Sequence, residues 1–209
     1  GSFGGTVNFG AGNVTANGSY DGFVTKLNSS GVHQWTTTFG GTEMDEFLDM
    51  EVDGSGNVYT TGYFRDTVNF GAGNVTSAGS ADVFVTKLNS SGAHQWTTTF
   101  GGTGTDYGKR VALDGSGNVY ISGLFAGTVD FGAGNVTSAG SYDVFVTKLN
   151  SSGAHQWTNT YGDSLTDYGW GLSLDTAGNV HVTGHFQNTV DFGTGDVTSA
   201  GDSDVFVVK

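Results

Sequence analysis

A ten-residue string, TVNFGAGNVT, starts at Thr6 and again at Thr67, then recurs as TVDFGAGNVT at Thr128 and TVDFGTGDVT at Thr189. Each step is 61 residues, without insertion or deletion. A strict period of this size implies one supersecondary unit stacked on copies of itself, each burying a face the single unit would leave bare. Residues 3–209 hold three units and a 24-residue part of a fourth, from Phe186 to Lys209; the opening Gly-Ser reads as a tag remnant, so 3–209 is expected to be a single repeat domain.

Within a unit the hydrophobic period is two. In DVFVTKLN, Val83 and Val85 point one way and Phe84 and Leu88 the other. The turn SSGA leads to HQWTTTF, and GKRVALD passes through GSGN into VYISGLF. With 37 Gly and no Pro, turns that need positive φ are easily made. Four antiparallel strands per unit are therefore expected. Inner strand A falls at 47–53, 108–114 and 169–175, and B at 58–64, 119–125 and 180–186. C falls at 22–28, 83–89, 144–150 and 205–209, and outer strand D at 33–39, 94–100 and 155–161. The expected fold class is all-β, a propeller of four-stranded antiparallel blades, with a solenoid of hairpins as the alternative. The long B–C connection (TVNFGAGNVTSAG) and the D–A connection (FGGTGTDYG) are expected to share one rim.

The segment DVFVTKLNSSGAHQWTTTFGGTGTDYGKRVALDGSGNVYISG resembles the bacterial seven-bladed-type β-propeller repeat, the SBBP family. Its pattern joins D-x-F-V-x-K-L, a Trp, an Asp-Tyr-Gly loop and D-x-x-G-N-V-Y-V-x-G. The resemblance implies a secreted or cell-surface protein, mostly without an assigned activity. It supports a fold, and function must be argued from the site.

Charge excludes two partner classes. Seven Lys+Arg against 20 Asp+Glu give −13, which repels the phosphates of nucleic acid and of anionic membranes. Without cysteine there is neither a disulfide nor a thiolate site. No nucleophile elbow or His-Glu-x-x-His motif occurs, so no enzyme and no cofactor is expected. A carboxylate-based polysaccharide hydrolase or lyase is the chemical alternative.

The copies diverge unevenly. Between 83–99 and 144–160 only Thr98 against Asn159 differs, whereas across 41–52, 102–113 and 163–174 one column alone is constant: Asp45, Asp106 and Asp167. The divergent part is the D–A loop with strand A, around the expected channel mouth. One reading is a rim diversified to bind a glycan or peptide, with Asp45, Asp106, Asp167, Tyr107, Tyr168 and Trp170 as ligand-binding residues. The other is drift, or variation that prevents misregister, in a purely structural, engineered or truncated array. For the aspartates the plain alternative is a turn that holds backbone N–H groups.

Other candidates read as structure. DGSGN at Asp53 and Asp114 lacks the acidic twelfth residue of a calcium loop, which is Phe64 or Phe125. His33, His94 and His155 lie one blade apart, too far to share a metal. Trp35, Trp96 and Trp157 are expected between blades. His181 and His185 occur only in the last copy, and an Asp49–Arg110 ion pair between blades is expected. Three blades do not close a ring. The sequence therefore predicts a homodimeric six-bladed ring, in which one duplicated C strand, Gly22–Asn28 or Val205–Lys209, is displaced.

Overall fold

The structure is a computed structural model and describes residues 1–209. It is all-β, with 22 strands and no helix. The first sheet is three-stranded, with β1 (Ser2–Phe3), β4 (Asp21–Leu27) and β5 (His33–Phe39) in that order. Between β1 and β4 lies a separate hairpin of β2 (Thr6–Asn8) and β3 (Asn13–Thr15).

The second sheet is a complete A-B-C-D blade. It holds β6 (Glu46–Val52), β7 (Val58–Phe64), β10 (Asp82–Leu88) and β11 (His94–Phe100), with the hairpin β8 (Thr67–Asn69) and β9 (Asn74–Thr76) between B and C. The third repeats it as β12 (Tyr107–Leu113), β13 (Val119–Phe125), β16 (Asp143–Leu149) and β17 (His155–Tyr161). Its hairpin is β14 (Thr128–Asp130) with β15 (Asn135–Thr137). The fourth has β18 (Tyr168–Leu174), β19 (Val180–Phe186) and β22 (Asp204–Val208), with hairpin β20 (Thr189–Asp191) and β21 (Asp196–Thr198). Neighbouring sheets meet through their A strands, since β12 packs on both β6 and β18. Strands B and D have the expected bounds. Strands A and C begin one residue earlier than expected, and β22 ends at Val208.

The core is divided among three clusters, one between each pair of successive sheets. Alternation along strand C decides which cluster receives which side chain. Val83 and Val85 join the cluster ahead, with Phe125 and Phe145, while Phe84 and Leu88 join the one behind, with Val24 and Phe39. The Trp expectation is met at two sites. The indole of Trp35 lies on Gly92 and donates to the Ser90 carbonyl at 3.1 Å, and that of Trp96 lies on Gly153.

The B–C and D–A connections meet on one rim as expected, Ser80 N–H donating to the Gly104 carbonyl and Asp106 N–H to that of Ala81. The B–C connection also carries a hairpin, not expected from the sequence, that turns back over its own blade. Its Val68 and Phe70 are buried in the cluster between the first two sheets, because three-residue strands with alternating side chains can seat one apolar face there. Gly71, at φ 112°, then lies against His94 so closely that an added Cβ would meet the His94 Cβ at 2.8 Å. Within the single chain both C strands are paired. Ser2–Phe3 gives β4 a partner on its B side, and β22 pairs with β19, so the chain forms an open stack of four sheets.

Candidate functional site

Every inner strand carries a β-bulge at the same place. Pairing of β6 with β7 skips Leu48, that of β12 with β13 skips Lys109, and that of β18 with β19 skips Trp170. A bulge frees one side chain from the ladder and re-aims it. Its partner strand supplies a glycine each time, Gly62, Gly123 and Gly184. A Cβ there would collide with the carbonyl oxygen of Glu46, Tyr107 or Tyr168 respectively. The bulge is thus part of the repeat, while its residue is Leu, Lys or Trp.

Around the last two bulges the surface is aromatic. Trp170 is 47% exposed and stacks on Tyr168 with centroids 5.5 Å apart and planes at 5°. Its indole N–H donates to His185 Nδ1 at 3.0 Å, and His185, the cross-strand partner of Tyr168, closes on that ring at 4.7 Å. One copy back, Lys109 Nζ stands 4.6 Å from the centroid of Tyr107. Tyr63 meets Tyr107 edge-on at 5.0 Å, and Tyr142 lies 6.2 Å from it. Tyr107, Tyr142 and Tyr168 all rest on the cluster between the third and fourth sheets, which makes the stripe continuous.

The aspartates are placed differently from a ligand-binding ring. Asp45, Asp106 and Asp167 are buried, and both oxygens of each accept backbone N–H groups. Asp106 takes Gly102 and Ala126, each at 3.0 Å, so it ties the D–A loop to the end of strand B. Asp45 does the same with Gly41 and Arg65, and Asp167 with Asp163 and Gln187. Burial pushes the carboxyls of Asp45 and Asp106 up to about 6, against the pull of those N–H groups. Of the six sequence-derived site residues, Tyr107, Tyr168 and Trp170 therefore present surface and the three aspartates do not.

The remaining candidates are absorbed by structure. Asp53 Oδ1 accepts Ser55 and Asn57 N–H, and Oδ2 accepts from the Asn57 amide and the Tyr59 hydroxyl, so the turn uses the whole carboxylate. His94 Nε2 pairs with Thr97 Oγ1 at 2.9 Å on the outer strand. His181 stands where Tyr59 and Tyr120 stand in earlier copies, 3.4 Å from Asp175. The expected Asp49–Arg110 ion pair is absent. Asp49 accepts the Val111 N–H instead, and Arg110 turns to the Lys109 carbonyl at 2.8 Å.

A groove of about 450 Å³ lies away from the rim among Val146, Trp157, Tyr161 and Val208. It exists because β22 has no outer strand beside it, which leaves Trp157 without the glycine that covers Trp35 and Trp96. Sequence reasoning did not assign Lys109, Arg65, Tyr63 or Tyr142 to the rim. Their signal was available: Arg65 and Lys109 have no cation at the corresponding place in any other copy.

Comparison with known proteins agrees with this architecture. A family profile described as SBBP, a β-propeller repeat, matches residues 95–124, from strand D of one sheet to strand B of the next. The chain is also 28% identical over 186 residues to an uncharacterized WD repeat-containing protein of Acanthamoeba polyphaga mimivirus. That match covers 78% of this chain and 13% of the viral protein. The fold is that of a β-propeller-like repeat protein.

Proposed function

We propose that the chain is a non-enzymatic binding module that recognises a glycan on its inner rim. The observation that carries this reading is Trp170: a half-exposed indole, coplanar with Tyr168 and fixed by His185, at the one inner-strand position that the scaffold frees from pairing. A flat apolar face bordered by polar groups suits the C–H face of a pyranose. Asp45, Asp106 and Asp167 are committed to backbone N–H groups, so the aromatic and cationic side chains, with Glu46 beside Lys109, are what a ligand meets. A glycan array followed by calorimetry tests the reading. Trp170→Ala should lose at least about tenfold in affinity, since aromatic burial is worth over 1.4 kcal/mol, with the melting temperature unchanged. Equal affinity in the variant, or release of reducing ends from a bound polysaccharide, overturns it.

We further propose that the 209-residue chain self-associates as a homodimer. Val205 and Val207 are 85% and 74% exposed, whereas their counterparts Val83, Val85, Val144 and Val146 are buried against the next sheet. At the other end Leu27 is exposed while Leu88 and Leu149 are buried against the previous sheet. The two bare faces are copies of surfaces that mate three times within the chain. A second copy stacked on them with no rearrangement gives 2 × 4 = 8 sheets, within the usual ~4–8 blades. Light scattering at micromolar concentration should return twice 21.6 kDa, and Val207→Asp should return the monomer. A wild-type monomer overturns the proposal.

A further inference from the structure

We infer that the sugar bound at the rim is acidic, with its carboxylate held by Arg65 and Lys109 while its ring lies on Trp170. This rests on the rim reading above and narrows it.

The chain has seven cationic side chains. Four, Lys26, Lys87, Lys148 and Lys209, recur at 61-residue steps on strand C and are used there. Lys87 and Lys148 sit 4.9 Å over Tyr59 and Tyr120, Lys26 donates to the Ser90 carbonyl, and Lys209 pairs with Asp175 at 3.6 Å. The other three, Arg65, Lys109 and Arg110, have no counterpart. Gly4, Ala126 and Gln187 stand at the first position, Leu48 and Trp170 at the second, Asp49 and Gly171 at the third. All the non-repeating positive charge of a −13 protein is therefore gathered at one point of the rim.

It is also unspent. None of the three forms an ion pair, and Arg65 Nε is buried without a hydrogen-bond partner. The guanidinium of Arg65 lies 5.7 Å from the Tyr63 ring, and Tyr63 abuts Tyr107, which carries Lys109 on its face. Burial holds Lys109 below the usual lysine range, and the facing acid that opposes this is Glu46. Glu46 faces Lys109, and Asp45 and Asp49 lie nearby with their carboxylates taken up by backbone N–H groups. The desolvated donors of Arg65 and Lys109 are left without acceptors, which favours an anion.

Lys109 and Trp170 occupy equivalent bulges on adjacent inner strands, so charge and platform are presented side by side. A long polyphosphate would feel the whole −13 protein and be repelled. One carboxylate on an otherwise neutral oligosaccharide would feel chiefly the local patch, because the rest is screened beyond about 8–10 Å at physiological salt.

Calorimetry with glucuronate-bearing oligosaccharides and neutral oligosaccharides of the same linkage tests the inference. Wild type should bind the acidic series about tenfold tighter, the worth of one charge-assisted hydrogen bond. Lys109→Leu, which installs the residue of the equivalent first bulge, should abolish that preference, so that the acidic and neutral series bind the variant equally. Trp170→Ala should weaken both series. Equal affinity of wild type for the two series, or a preference that survives Lys109→Leu with Arg65→Gln, overturns the inference and leaves the rim reading standing. No binding of either series, or binding indifferent to Trp170→Ala, overturns both.

Discussion

Asp49, on the inner strand of the second sheet, accepts the backbone N–H of Val111 on the inner strand of the third at 3.0 Å. This is a side chain–main chain tie between two sheets, and no other copy can make it, because Arg110 and Gly171 stand at the equivalent positions. Asp49→Ala leaves that N–H without its acceptor and should cost about 1–3 kcal/mol in chemical unfolding. Asp49→Asn keeps an acceptor oxygen and should recover most of the loss. Equal damage from both would show that the carboxylate acts by charge rather than as an acceptor.

The recurring strand-B glycine should be far more sensitive than a turn glycine of the same sheet. Gly123→Ala drives a methyl into the Tyr107 carbonyl, whereas a Cβ at Gly115 meets nothing within 4 Å. A loss of about 1–3 kcal/mol or more is expected for the first, and a few tenths for the second. For a chain of this size each kcal/mol is roughly 2–4 °C in melting temperature, so calorimetry separates the two easily. Similar melting of both variants would show that the bulge does not need a glycine partner.

Mild acid should stabilise the fold. Burial raises the carboxyls of Asp45, Asp106 and Asp143 to about 6, and raises Asp82 and Asp167 as well. The folded state therefore holds protons that the unfolded state releases above about 4. Their stabilising contribution is complete below the unfolded value of about 4 and is lost as pH rises through about 6. The opposite group includes Asp130 and Asp191, held low by backbone N–H groups of Gly132 and Gly193. These contribute above about 4 and fail as pH falls below it. The melting temperature should therefore rise from pH 7.5 to about 5 and drop below about 4. A monotonic fall from pH 7.5 downward would contradict the raised values.

Calcium should leave the melting temperature unchanged apart from general screening. In the DGSGN turn all of Asp53 is taken by Ser55, Asn57 and Tyr59, and Asp114 repeats the pattern with Ser116, Asn118 and Tyr120. A saturable rise of several degrees, reversed by EDTA and absent in sodium at equal ionic strength, would mean that the turn opens to an ion.

Most of the fold could be read from the chain because strands C and D announce themselves by alternation and all four strands by glycine turns. The small outer hairpins could not, since Thr67–Asn69 and Asn74–Thr76 are three residues each and too short for a period to register. The rim was legible through its divergence, and Trp170 and Tyr168 could be named from it. The three aspartates misled for a physical reason: constancy of a polar residue in every copy is what a backbone tie requires, and a recognition residue in diverging copies need not be constant. Asp49 was assigned to the wrong partner because sequence shows the charge of Arg110 but not the N–H of Val111.

The inner-strand bulge has a consequence for how such a chain can change. Residues 48, 109 and 170 are relieved of ladder duty by a backbone device whose parts lie elsewhere, chiefly in Gly62, Gly123 and Gly184. Each repeat thus offers one position where side chains as unlike as Leu, Lys and Trp are exchanged without altering how the unit is built. A row of such positions can be rewritten one at a time, and copying the repeat copies the blank along with the frame.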